Sequence, residues 1–180
     1  MRTTLLIGTL IVTLISCNKT ENKLINSRPE IPKNDSIDIN FDGIIDLVIT
    51  YWELETTDVP SSGGSIIGGF MPMEQNRVLY RPNIGYLFLQ SKDTIRNEFN
   101  SNSQWTDYTA DMVNISRNNS DWNTTWSILS NLTSDYYLGF MQMHNSVERI
   151  GWIQVEIDTI SGKMSILDSK LTDSSEIILE

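Results

Sequence analysis

VERIGWIQVEID, residues 147–158, alternates with a period close to two. Val147, Gly151, Ile153, Val155 and Ile157 fall on one side, and Glu148, Gln154, Glu156 and Asp158 fall mostly on the other. Ile150 and Trp152 are exceptions. Successive side chains of an extended chain point to opposite faces, so the segment reads as a strand with one apolar face. ISGK (160–163) follows with a glycine for a tight turn, and MSIL resumes the apolar pattern. The spacing predicts a C-terminal hairpin.

The same texture extends upstream. IIDLVITYWEL (44–54), GSIIGGFM (64–71), IGYLFLQ (84–90) and YYLGFMQM (136–143) precede the hairpin, and KMSILDS (163–169) and EIILE (176–180) complete it. These short runs are rich in Ile, Val, Tyr, Trp and Thr, residues that suit a pleated, half-buried surface. They predict an all-β fold, an antiparallel β-sandwich or barrel-like domain. One segment departs from the pattern. In SQWTDYTADMVNI (103–115), Trp105, Tyr108, Met112 and Ile115 fall at helical spacing behind Ser103, which predicts one short helix. No internal repeat is visible, which argues against a propeller.

The chain has 180 residues, enough for one domain with a sizeable core. Its first 16 residues read as a signal peptide: Arg2 is followed by an apolar run over 5–15, too short to span a bilayer, which takes roughly 20 residues. Leu14-Ile15-Ser16-Cys17 resembles the lipobox of bacterial lipoproteins. That resemblance implies that Cys17 is lipidated, palmitate-bearing and the first mature residue; the alternative is an ordinary secretory signal with a chance cysteine. More than one acyl chain is a durable anchor, whereas a single myristoyl is marginal. Residues 17–35 then read as the lipidated cysteine and a polar tether with Pro29 and Pro32, and 36–180 as a single β-domain. The expected address is the cell envelope, on the outer membrane, with the membrane as a partner through Cys17.

Cys17 is the only cysteine, which excludes a disulfide framework and a thiolate cluster. From residue 36 onward there are 8 basic and 20 acidic residues, a balance of −12. So acidic a body repels nucleic acid and anionic lipid and suits cations.

Where the tether ends, the acids take on a spacing. Asp38-x-Asn40-x-Asp42-Gly43-x-x-Asp46 places oxygen side chains at alternate positions of a short loop. Calcium wants six to eight oxygens at about 2.3–2.6 Å, and Gly43 lets the chain wrap an ion. The Ile44 carbonyl is the next expected ligand, and Asp46 closes the site directly or through water. The motif resembles the calcium loops of the dockerin, FG-GAP and VCBS-repeat families over about nine to twelve residues. It departs from the EF-hand, since Ile49 stands where a bidentate glutamate belongs. The expectation is one structural Ca²⁺, held with an affinity of about 0.1–1 mM. The alternative is an Asx-turn that starts a strand. Lipobox, tether, acidic loop and the late YYLGF and GWIQVEI strands together look like small lipid-anchored β-proteins of the Bacteroidetes. That wider resemblance bears on address and fold, not on a reaction.

Catalytic residues are hard to assemble. His144 is the only histidine, and no G-x-S-x-G elbow is present. Glu53 with Glu55, or Asp107 with Asp111, are the carboxylate pairs that a glycosidase-like envelope hydrolase would draw on. Residues 99–134 are dense in Asn, Ser and Thr yet hold Trp105, Tyr108, Trp122 and Trp126. Aromatics among amides and hydroxyls suit a sugar-stacking surface. The other reading is that these rings point into the core. The sequence therefore predicts a lipid-anchored envelope β-domain with a calcium site, acting as a binding or structural module for a glycan or an envelope protein, with the hydrolase as the alternative.

Overall fold

In this computed structural model, which describes residues 27–55, 63–81, 85–86, 88–98, 103–118, 121–130, 135–144 and 147–179, the alternating segment is a strand of eleven residues paired on both edges. The elements in chain order begin with β1 (Asp35–Ile37), β2 (Leu47–Glu55), β3 (Gly64–Pro72), β4 (Arg77–Arg81) and β5 (Gly85–Tyr86). Next come β6 (Phe88–Leu89), β7 (Thr94–Arg96), β8 (Gln104–Thr106), β9 (Ala110–Asn118) and β10 (Asp121–Trp122). The series ends with β11 (Ser127–Ile128), β12 (Tyr136–His144), β13 (Val147–Ile157), β14 (Met164–Thr172) and β15 (Glu176–Ile178). All pairings among the described residues are antiparallel.

Three layers result. The first sheet runs β1-β2-β3-β9-β10, with β11 also on β9. The second runs β14-β13-β12-β4-β5, with β6 on β12 and β8 on β4. The third is the pair β15-β7. One core lies between the first two sheets and includes Leu47, Ile66, Phe70, Met112, Leu138, Phe140 and Ile153. A second core lies on the other side of the middle sheet and gathers Leu79, Ile95, Trp105, Met141, Ile150, Trp152 and Ile177. Alternation along β12 divides its side chains between them: Leu138 and Phe140 go to one, Tyr137 and Met141 to the other. The exceptions in 147–158 have the same cause. Ile153 and Val155 face the first core, while Ile150 and Trp152 face the second. A strand in a middle layer is buried on both faces, so it cannot alternate cleanly.

The expected hairpin is present, with Asp158 N–H donating to the Lys163 carbonyl across the turn and Gly162 at φ +74°. The expected helix over 103–115 is not: that stretch is β8, a turn and β9. The ladder between β3 and β9 shifts register between Gly68 and Gly69, so Gly68 faces Val113 and Gly69 faces Asp111. Met112 is thereby an extra residue, a β-bulge. The bulge lets Ala110, Met112, Val113 and Ile115 all enter the first core, and this gives strand residues a three-residue spacing.

The predicted tether also changes at its C-terminal end. From Ser27 the chain lies on the domain: Ile31 and Ile37 pack against the first core, and Arg28 pairs with Glu53. Cys17, the signal segment and residues 18–26 lie outside the described residues.

Candidate functional site

Strand pairing sorts the loops into two ends. β1 sets Asp35 opposite Ile49 and Ile37 opposite Leu47. Arg28, further upstream, reaches Glu53. The chain thus enters beside Glu53 and turns into the acidic loop beside Leu47, roughly 20 Å away at strand rise.

At the far end, residues 38–44 are knit together by their own acceptors. The Asp38 carboxylate accepts from the N–H groups of Asp42 (3.2 Å) and Gly43 (2.7 Å). Asn40 accepts from Asp42 N–H through its amide oxygen and donates its amide to the Asp42 carboxylate. That carboxylate also accepts from Ile44 N–H. The Asn40 amide first, and the Ile44 N–H second, lower the Asp42 pKa below its ordinary 3.8. A lowered carboxylate pKa stabilises the fold fully above pH 3.8, and that contribution is lost as pH falls through the folded value. Phe41 stands at the loop tip, 90 % exposed, at φ +60°.

Asp46 is placed apart from this group. It is 2 % exposed and points into the protein. One oxygen accepts from Ile39 N–H at 2.8 Å; the other accepts from the amides of Asn76 (3.0 Å) and Gln142 (2.9 Å). Asn76 in turn accepts from Met143 N–H, and Met73 N–H donates to the Asp46 carbonyl. Asp46 therefore ties the acidic loop, the β3–β4 turn and β12 together. The sequence expectation made it the closing ligand of the loop; the structure gives both its oxygens to core donors. Asp38, Asn40 and Asp42 are brought together, and a cation there would draw on two carboxylates, the Asn40 amide oxygen, the Ile44 carbonyl and water. Among the described residues no group of three or more His, Cys, Asp or Glu side chains is gathered to hold a metal.

Asn40 and Asp42 also line a cavity of about 340 Å³ with His144, Val147 and Arg149. Arg149 is held by Asp173 at 2.8 Å. None of these five side chains is a nucleophile of the hydroxyl or thiol kind.

At the entry end lies a concavity of about 770 Å³. One wall is the incoming segment itself, with Pro29, Ile31 and Pro32. The floor is Ile115, Trp122 and Trp126. The opposite wall is the β10–β11 loop and the β13–β14 turn, joined by Trp126 N–H donating to the Thr159 carbonyl at 2.7 Å. Tyr51 braces this wall from below. Its hydroxyl donates to the Gly162 carbonyl, and its ring meets Trp126 edge-on at 6.0 Å. Burial raises the Tyr51 pKa, so the phenol stays protonated as a donor. On its other side Trp122 carries the Arg117 guanidinium, 5.6 Å from its centroid.

The four aromatics considered for stacking separate. Trp105, Trp122 and Trp126 are 6 %, 5 % and 3 % exposed, so they are core residues, not an open platform. Trp105 belongs to the second core and donates to the Arg96 carbonyl. Tyr108 is 75 % exposed in the β8–β9 turn. Trp122 and Trp126 meet at one cavity. The contribution of residues 27–35 to that cavity carried no sequence signal beyond Ile31 and two prolines.

Glu53 and Glu55 share a face of β2, two residues apart, whereas Asp107 and Asp111 separate. Glu53 is held by Arg28. Asp107 is exposed in a turn, whereas Asp111 is half-buried on β9, and burial raises its pKa. A raised carboxylate pKa means that folding is penalised as pH rises into the range where the acid ionises. Asp111→Asn is expected to raise the melting temperature at pH 7, and the gain should vanish at a pH low enough to protonate Asp111. Melts across pH check this; an equal shift at every pH contradicts it.

No protein-family model, curated protein or solved structure matches the chain.

Proposed function

We propose that this chain is a lipid-anchored binding module of a bacterial cell envelope, and that its binding site is the groove at the entry end. The observation that carries the reading is the wall formed by residues 27–35 against Trp122 and Trp126. The segment that leads from the anchor is built into the site, and a cavity of this size is ordinary for a small ligand. The signal-like N-terminus and the lipobox around Cys17 support the address. Cys17→Ser is expected to move the protein from the membrane fraction to the soluble fraction; persistence in the membrane contradicts lipidation at Cys17.

The acidic loop completes the proposal as a calcium site of structural use, at the end opposite the groove. Asp38, Asn40, Asp42 and the Ile44 carbonyl are the ligands, with water in the remaining positions. A cation that binds only the native state at ten times its Kd adds about 1.4 kcal/mol. For a chain of this size that is a rise of about 3–6 °C in melting temperature on going from EDTA to calcium. The rise should be lost in Asp42→Ala. No shift in the wild type at millimolar calcium contradicts the site.

A further inference from the structure

The first sheet is an outer layer, with the first core on one side and no described layer on the other. Strand register fixes what its outward face presents. Val48 lies opposite Met71, Thr50 opposite Gly69, and Trp52 opposite Ile67, with Leu54 at one end. Gly69 is in turn opposite Asp111, and Ile67 opposite Asn114. Val48, Trp52, Ile67 and Met71 belong to neither core, and Leu54 is 51 % exposed. A solvated face of an antiparallel sheet ordinarily carries polar residues. Five large apolar side chains on one such face, a Trp and a Met among them, mark an interaction surface.

Asp111 gives this surface its sign. Its carboxylate is half-buried beside Gly69, which has no side chain to cover it. It has no hydrogen-bond or ion-pair partner among the described residues. A partly desolvated carboxylate without a counter-charge costs stability, and a fold retains such a cost where binding uses the group. No Lys or Arg occupies an outward position of β2, β3 or β9. A second copy docked by the same face would therefore bring two carboxylates into one interface without a cation. A bilayer interface favours apolar faces edged by Lys and Arg, and this face offers an acid on a chain of net charge −10. The complement of an apolar stripe with one unpaired carboxylate is an apolar surface with one cation.

We propose that the outer face of β2, β3 and β9 docks a partner protein through an arginine or lysine set among apolar side chains, with the cation on Asp111 and its stem along Ile67 and Trp52. Long cationic side chains lay their methylenes on apolar surface in this way, and an indole ring favours a cation over its face. No residue of this face lines the groove, so this is a second surface and does not depend on the reading of the groove.

The test uses the purified full chain labelled with 5-fluorotryptophan, with the Trp52 ¹⁹F signal assigned by Trp52→Phe. The probes are acetyl-Leu-Arg-Leu-amide, its Gln and Glu counterparts, and a neutral glucose hexasaccharide. The Arg peptide should move the Trp52 signal with a Kd of about 0.1–10 mM, and the Glu peptide should not move it. The Arg peptide should bind about three- to twentyfold more tightly than the Gln peptide. Asp111→Asn should erase that preference while the variant keeps a cooperative melt. A preference that survives Asp111→Asn overturns the pairing. Movement by the hexasaccharide and not by the Arg peptide overturns the partner class. Movement with protein concentration alone, with a dimer in sedimentation, overturns it in favour of a second copy. An unmoved Trp52 signal up to about 50 mM Arg peptide, with a native melting curve, overturns the surface itself.

Discussion

Asp46→Ala is expected to cost about 3–5 kcal/mol, enough to lower the melting temperature by roughly 6–20 °C. The carboxylate is buried and takes hydrogen bonds from Ile39 N–H, Asn76 and Gln142. Its removal strands these donors in a site with almost no access to water, and an unmade buried hydrogen bond costs more than a made one contributes. The three donors come from the acidic loop, the β3–β4 turn and β12, so the variant also unties the loop end of both large sheets. Asp46→Asn separates the two effects. It keeps the shape, and its new amide can donate to the Gln142 side-chain oxygen, which has no partner in the wild type, if that amide turns over. About half the loss should be recovered. Equal melting of Asp46→Ala and wild type contradicts the role given to this carboxylate.

Gly162→Ala is the second large effect. Gly162 lies at φ +74°, where an L side chain is strained, and a Cβ there would meet the Trp126 ring at 2.3 Å. The conformational cost is about 1–2 kcal/mol and overpacking adds about 1–3 kcal/mol, giving roughly 2–5 kcal/mol in all. Gly43→Ala is the matched control. Gly43 has φ +87°, but nothing lies within 4 Å of its Cβ position, so it should show the conformational cost alone. The difference between the two melts isolates the contact with Trp126. Because Trp126 forms the groove floor, Gly162→Ala should also weaken ligand binding, and Gly43→Ala should not. Similar melting of the two variants contradicts the close packing of the turn on Trp126.

Much of this architecture was written in local pattern. The all-β class and the hairpin through Gly162 followed from two-residue alternation and one glycine turn. What local pattern could not show was the third layer. Ile150 and Trp152 broke the alternation of β13 because β7 and β15 supply a second core on its other face. The helical spacing of Met112 and Ile115 came from a bulge whose cause, the register opposite Gly68 and Gly69, lies about 45 residues upstream. The candidate sites divide in the same way. Asp38, Asn40 and Asp42 are neighbours in sequence and meet in space. Asp46 looked like their fourth member, yet its partners Asn76 and Gln142 are 30 and 96 residues distant. One signal of its burial was present: Gln142 falls in phase with Leu138 and Phe140 on the inward face of β12, and a polar residue there needs a buried polar partner. The groove was the least legible feature. Its walls come from residues 27–35, 122–126 and 160–163, and only the fold brings these three segments together.

The five tryptophans offer the most direct test of the groove as the binding site. The protein is labelled with 5-fluorotryptophan, its ¹⁹F signals are assigned by single Trp→Phe variants, and short neutral, acidic and peptide ligands are titrated in. The signals of Trp122 and Trp126 should move to saturation together, while those of Trp105 and Trp152, in the second core, stay in place. Unmoved Trp122 and Trp126 signals at saturating ligand, or movement confined to Trp105 and Trp152, would contradict the account.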